Sequence, residues 1–196
     1  TKSPFWGFFN LKKENKIAII GLGYVGLPLA LAFSKHYKVV GYDVNEKRVY
    51  SLQKGIDSNL DVVVSVNSNL VLSSNENAIK EADMYIITVP TPVNAENIPD
   101  LSFLQSASQL VGKYLKEGDV VIYESTVYPG VTEDFCAPIL AEISGLRYNT
   151  NFYCGYSPER ISPGTDKYTL QNVVKVTSGS TTRVADLVDN LYKKII

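Results

Sequence analysis

Cysteine, histidine, methionine and tryptophan are all scarce in this chain of 196 residues: two Cys, one His, one Met and one Trp. Cys136 and Cys154 are far apart in sequence, which excludes a disulfide framework and a cysteine-based zinc site. A single histidine, His36, leaves metal catalysis little to work with. Charge of one sign is also lacking. Nineteen basic residues against 20 acidic give a net charge of −1, without the basic excess of a dedicated nucleic-acid binder. No apolar run reaches the ~18 residues of a membrane-spanning helix, and the N-terminus has no basic-then-apolar signal region. These absences point to a soluble chain in a reducing compartment, the cytoplasm. The start at Thr1 rather than Met points to a processed or trimmed product.

What is present is globular. Hydrophobic residues make up 45% and charged residues 20%, which rules out a disordered or fibrous chain. The length suits one large domain or two small ones and is enough to bury a core. Residues 1–15 stand apart as an arm, with the aromatic, aperiodic Ser3-Pro4-Phe5-Trp6-Gly7-Phe8-Phe9 followed by a polar stretch. Termini of this kind are held loosely or pack on a neighbour.

From residue 16 onward, strands and helices alternate. Ile17-Ala18-Ile19-Ile20 is a short β-rich apolar run that reads as a strand buried on both faces. A helix is expected from Tyr24 to His36, a strand over Lys38–Asp43 and a helix over Glu46–Gln53. Val71-Leu72 is a weak strand, Glu76–Glu81 a short helix and Met84–Val89 a strong strand stopped by Pro90. Leu101–Lys116 carries Leu104, Ala107 and Val111 on one helical face. Val120–Tyr123 is a further strand. A helix with Val131, Phe135, Ile139 and Ile143 on one face follows, and Pro138 predicts a kink in it. Phe152–Cys154 and Val173–Val176 read as strands, and Thr181–Lys194 as a last helix. Residues 55–70 are ill defined and residues 91–100 form a Pro/Asn-rich loop. The alternation predicts an α/β fold of Rossmann type: a doubly wound, mostly parallel sheet with helices on both faces, over residues 16–196.

Gly21-Leu22-Gly23-Tyr24-Val25-Gly26 is G-x-G-x-x-G between a buried strand and a helix. In that context Gly21 allows the tight turn, Gly23 lets a pyrophosphate approach the backbone and Gly26 lets the helix pack on the sheet. The helix N-terminus offers free N–H groups to phosphate. Asp43 ends the second strand 22 residues after Gly21, where a carboxylate meets ribose hydroxyls and repels a 2′-phosphate. NAD is therefore the expected cofactor rather than NADP. Arg48, one turn into the next helix, is placed to lie over the adenine or a phosphate.

Three later loops follow strands: Val89-Pro90-Thr91-Pro92, Glu124-Ser125-Thr126-Val127-Tyr128-Pro129-Gly130 and Tyr156-Ser157-Pro158-Glu159-Arg160-Ile161-Ser162-Pro163-Gly164. All fall at carboxyl ends of expected strands, where open α/β sheets bind ligands. With the glycine motif they resemble the UDP-glucose/GDP-mannose dehydrogenase family from about Lys16 to the end. The Pro-Glu-Arg-Ile-x-Pro-Gly run is similar to the branch acting on UDP-N-acetylhexosamines, and Pro163 stands where the UDP-glucose branch has a second Glu.

The resemblance implies oxidation of a sugar C6 alcohol to a carboxylate with two NAD, feeding bacterial capsule, O-antigen or related polysaccharides. It implies NAD contacts at Tyr24, Val25, Asp43, Arg48 and Thr91. It places Thr126 near the nicotinamide, holding a catalytic water, makes Glu159 the general base for thioester hydrolysis, and sets Arg160 and Ile161 against the nucleotide sugar. On residue types alone, Glu159-Arg160 also reads as a solvated charge pair, Ser125-Thr126 as a helix cap and Thr91 as part of a plain turn.

The family's nucleophilic Cys, in a later Gly-rich motif beyond a central helix, has no counterpart here. Cys136 and Cys154 read as buried small hydrophobes. The chain therefore reads as the N-terminal part of an enzyme about twice as long and as inactive alone, since an acyl-enzyme route needs a thiolate. The full-length enzyme is expected to be a homodimer. Two other readings stay open: a cofactor domain of the 6-phosphogluconate or hydroxyacid dehydrogenase group, and a non-catalytic NAD-binding module.

Overall fold

The structure is a computed structural model that describes residues 15–57, 62–158 and 174–196. Apart from Asn15, the expected N-terminal arm lies outside the described residues. The chain forms β1 (Lys16–Ile20), α1 (Gly26–Phe33), β2 (Lys38–Tyr42), α2 (Glu46–Gln53), β3 (Ile56–Asp57), β4 (Val62–Val63) and β5 (Leu70–Ser73). A 3₁₀ turn (Glu76–Ile79) leads to β6 (Met84–Ile87), α3 (Ser102–Gly112) and β7 (Val120–Tyr123). A π-helical turn (Val131–Cys136) opens α4 (Ala137–Ser144), followed by β8 (Tyr153–Tyr156), β9 (Ser178–Gly179) and α5 (Thr182–Tyr192).

The main sheet has seven strands in the order β5-β2-β1-β6-β7-β8-β9. Every pairing is parallel except the last, β8 with β9. Strand order therefore reverses between β1 and β6, the doubly wound Rossmann arrangement with its ligand crevice at that point. The expected α/β sheet with helices on both faces is what forms.

β1 explains how the two faces are built. Its side chains alternate, and each set meets a different layer of helices. Ile17 and Ile19 join Leu29 and Phe33 of α1, Leu52 of α2 and Leu191 of α5 in one core. Ala18 and Ile20 join Leu104 and Val111 of α3 and Leu140 of α4 in the other. Both faces being covered, the strand after its first residue, Lys16, has no polar position, which is why Ile17–Ile20 is a continuous apolar run. α5 is the most clearly amphipathic helix: Val184, Leu187, Val188 and Leu191 are buried, each contributing about 1.5–3 kcal/mol. Thr181 caps it, accepting the Val184 N–H at 3.3 Å.

Several elements differ from expectation for identifiable reasons. The expected kink at Pro138 is instead a π-helical turn before it, with proline in the first turn of α4. Proline has no N–H to give and crowds the carbonyl four residues back, so the wider turn absorbs the mismatch. The strand expected over 173–176 is not formed at 174–176; the short strand lies at Ser178–Gly179. There Ser157 donates its hydroxyl to the Val176 carbonyl at 2.9 Å and Lys175 turns inward, so this stretch is held by side chains rather than by a ladder. Residues 76–79 form a 3₁₀ turn rather than a longer helix, and two short strands of two residues each, β3 and β4, pair antiparallel in the ill-defined stretch. Among the described residues no helix is long and apolar enough to cross a membrane.

At the amino ends of β6 and β7, Asp119 is buried and accepts the Lys116 N–H at 2.8 Å and its Nζ at 3.2 Å. Burial pushes its carboxyl up to about 7 against the opposing pull of Lys116, and Asp83 adds to the rise. The folded state therefore holds a proton between roughly pH 4 and 7 that the unfolded chain releases, and stability from this group falls as pH rises through that window. Asp119→Asn is expected to flatten the decline of the urea midpoint between pH 4 and 7; an unchanged slope would remove Asp119 as its source.

Candidate functional site

The crevice is built around the turn from β1 to α1. Gly21 has φ +97°, a conformation that only glycine adopts readily, and its N–H bonds the Tyr42 carbonyl at 2.8 Å. Gly26 is fixed by contact: a Cβ there would lie 1.9 Å from the Gly21 oxygen and 2.5 Å from Thr88 Oγ1. Thr88, just after β6, locks the turn by donating its hydroxyl toward the carbonyls of Ile20 at 3.0 Å and Gly21 at 2.8 Å. Gly23 is different. Nothing lies within 4 Å of where its Cβ would be, so the protein's own packing does not demand glycine there. The open space suits a ligand group against the backbone. Val25 makes no side-chain cap at the start of α1; Leu27 N–H bonds the Gly23 carbonyl at 3.1 Å and Pro28 has no N–H, so the Gly26 N–H at the helix start is the first-turn donor left for an anion. Pro28 sits within that first turn, where no intrahelical N–H is lost.

Asp43 follows β2 and is half-buried. One carboxylate oxygen accepts the Leu22 N–H at 2.8 Å and the other the Asn45 N–H at 2.9 Å. It thus joins the glycine turn to the start of α2, with lone pairs left for hydroxyl donors. The next residue group continues the chain of caps, Asn45 accepting the Arg48 N–H at 3.2 Å. Arg48, expected over the adenine or a phosphate, is drawn inward. Its Nε donates to the Leu22 carbonyl at 3.0 Å and its guanidinium pairs with buried Asp57 on β3. Arg48 therefore supports the turn from behind.

On the other side of β1, the loops after β6 and β7 meet. Thr91 donates its hydroxyl to the Thr126 carbonyl at 2.7 Å, and Ser125 donates to Val89 O at 2.5 Å. Thr126 and Tyr24 are exposed, Val25 and Thr91 partly so. The structure thus brings Gly21, Gly23, Tyr24, Val25, Gly26 and Asp43 to one half of the crevice and joins Thr91 to Thr126 on the other. Glu159, Arg160 and Ile161 lie outside the described residues. Cys136 and Cys154 are both buried free thiols. Burial pushes Cys136 up to about 11 and Cys154 well above the ordinary thiol range, so neither is a ready thiolate. Among the described residues no group of three or more His, Cys, Asp or Glu is set to hold a metal.

Two contributors were not foreseen. Thr88 was hidden inside a strong strand, its only signal a hydroxyl at the strand's carboxyl end. Lys175 was hidden in Val173-Val174-Lys175-Val176, its signal a single charge inside an apolar run.

Residues 15–196 match the NAD binding domain of the UDP-glucose/GDP-mannose dehydrogenase family. The chain belongs to this family. It is 54% identical over 186 residues to a UDP-N-acetyl-D-glucosamine 6-dehydrogenase of Salmonella typhi, covering 93% of this chain and 44% of that protein. It is 50% identical over 187 residues to the Pseudomonas aeruginosa enzyme of the same name, covering 94% of this chain and 44% of that one. Among solved structures, the UDP-D-ManNAc dehydrogenase of Pyrococcus horikoshii superposes with a TM-score of 0.80 at 30% identity, over 92% of this chain and 45% of that one. The chain thus spans less than half the length of these relatives. The expected Rossmann fold, family and NAD cofactor are borne out, and the open Gly23 backbone, the uncapped α1 and Asp43 fit a dinucleotide.

Two substitutions test this half of the crevice. Gly23→Ala should change stability by less than about 1 kcal/mol, since its Cβ meets open space, yet weaken NAD at least about tenfold. Paired calorimetry and thermal melts check it; unaltered NAD affinity would dissociate Gly23 from the phosphates. Asp43→Ala should also weaken NAD by about tenfold or more, through loss of a charged acceptor. Titration of NAD with unchanged affinity would reject a ribose contact there.

Proposed function

We propose that this chain is the cofactor-binding part of a nucleotide-sugar 6-dehydrogenase that oxidises the C6 alcohol of a UDP-N-acetylhexosamine to the uronic acid with two NAD. The observation that carries this is the 54% identity to a UDP-N-acetyl-D-glucosamine 6-dehydrogenase over 93% of the chain, combined with a crevice whose two halves are both formed. The bound cofactor would accept hydride at its nicotinamide. This chain's residues would take these parts: the Gly21–Gly26 turn and Asp43 bind and orient the cofactor, and Thr126 orients a water without adding charge. Glu159 takes that water's proton as it attacks the acyl carbon of the thioester, whose C–S bond breaks to release the thiolate and the carboxylate product, a task for a carboxylate placed beside it. Arg160 and Ile161 contact the nucleotide sugar.

In this reading the nucleophilic thiol belongs to a further part of a longer polypeptide, because Cys136 and Cys154 are buried with raised thiol pKa values. The 196 residues alone are then inactive. The full-length enzyme is a cytoplasmic homodimer serving bacterial capsule or related polysaccharide synthesis.

NADH formation by the full-length protein is expected with UDP-GlcNAc or UDP-GalNAc and not with β-hydroxyacids or 6-phosphogluconate; the reverse pattern would move it to the rival dehydrogenase group. In the same protein Glu159→Gln should let a covalent thioester accumulate by intact-mass spectrometry. Normal turnover without adduct would take Glu159 out of the hydrolytic step.

A further inference from the structure

Beneath the Ser125–Thr126 loop lies a buried polar cluster that the reading above does not use. Glu124, the residue after β7, is fully buried. One carboxylate oxygen accepts the hydroxyl of Tyr192 from the end of α5, and the other meets Lys175 Nζ at 2.5 Å. The Lys175 side chain is 4% exposed. Its Nζ lies 5.4 Å from the centroid of the Tyr192 ring and 3.4 Å from the Pro158 carbonyl. The segment around it is inverted: Val174 and Val176 are 80% and 51% exposed while the lysine points in.

Turning an ammonium inward and two valines outward runs against the burial preference of all three residues. A buried ion pair adds little net stability over apolar groups of the same volume. What it does supply is direction, since each partner has a narrow set of places where its charge is met. We infer that Lys175 is a positioning residue which, through Glu124, fixes the Ser125–Thr126 loop over the nicotinamide side of the crevice.

The sheet order supports that assignment of sides. A dinucleotide across the β1/β6 reversal puts one nucleotide on each half of the sheet. Asp43 marks the β2 half as the adenosine side, so the loops after β6 and β7 take the nicotinamide. These loops are tied from the β6 side by the Glu124 N–H to Ile87 O at 2.9 Å and by Thr91 to Thr126. The Glu124 side chain ties them from the α5 side. Without the Lys175 charge, a buried carboxylate loses its cation and is driven toward water, carrying the next two residues with it.

The inference rests on the nicotinamide-side reading of Thr126 and not on the identity of the sugar. Its test uses this chain, with NAD⁺ and ADP-ribose as probes, since ADP-ribose lacks the nicotinamide. In Lys175→Met, NAD⁺ affinity should fall about fivefold while ADP-ribose stays within about twofold, and amide exchange at residues 124–127 should quicken with residues 16–22 and 38–43 unchanged. Lys175→Arg should restore both readouts. Glu124→Gln should repeat the Met result and replaces it should that variant not fold. Equal loss of both ligands, or unchanged exchange at 124–127, would overturn the positioning role. Wild-type chain binding NAD⁺ no more tightly than ADP-ribose would instead overturn the nicotinamide-side reading, and the exchange data would then decide the positioning role alone.

Discussion

The fold is organised by one close approach, that of Gly26 to the carbonyl of Gly21. A helix that starts this tightly against its strand leaves no room for a side chain at residue 26, and it aims the first turn of α1 across the carboxyl end of β1. Thr88 seals the contact from the neighbouring strand by hydrogen bonds to both Ile20 and Gly21. The helix axis, the β1–β6 pairing and the mouth of the crevice are therefore parts of a single packing solution. The two hydrophobic layers on either side then fill in around β1, whose alternating side chains belong to both.

The crevice has two halves held by different physics. Around Asp43 the backbone is tied by charged acceptors: a carboxylate reaches the glycine turn and the start of α2, with the Arg48–Asp57 pair behind it. Around Thr126 the ties are neutral hydroxyl-to-carbonyl bonds from Thr91 and Ser125, and the charges are set deeper, at Glu124 and Lys175.

Much of this was legible in the residues. The run Ile17–Ile20 gave β1 because a strand covered on both faces has no polar position, and the glycine spacing gave the turn because two of its three glycines are required by backbone geometry. The four loop motifs were legible in combination, since each follows a strand. What was not legible involves partners distant in sequence. Arg48 was expected over the adenine or a phosphate because it lies one turn into the helix after Asp43, and only β3, a two-residue strand in an ill-defined stretch, supplies the Asp57 that turns it in. Lys175 could not be told from a strand residue, because Glu124 and Tyr192, the groups that meet its charge, are 51 and 17 positions away.

The double attachment of Asp43 carries a consequence for how such a domain could change its cofactor. Accepting a 2′-phosphate would require replacing the carboxylate with a neutral or basic residue. That same carboxylate holds the Leu22 and Asn45 amides, so the exchange would also loosen the phosphate turn and the first turn of α2. On the proposed ribose contact, preference between the two dinucleotides would be tied to the shape of the glycine turn that Asp43 anchors. A switch of preference at this position needs a second substitution that re-anchors the loop.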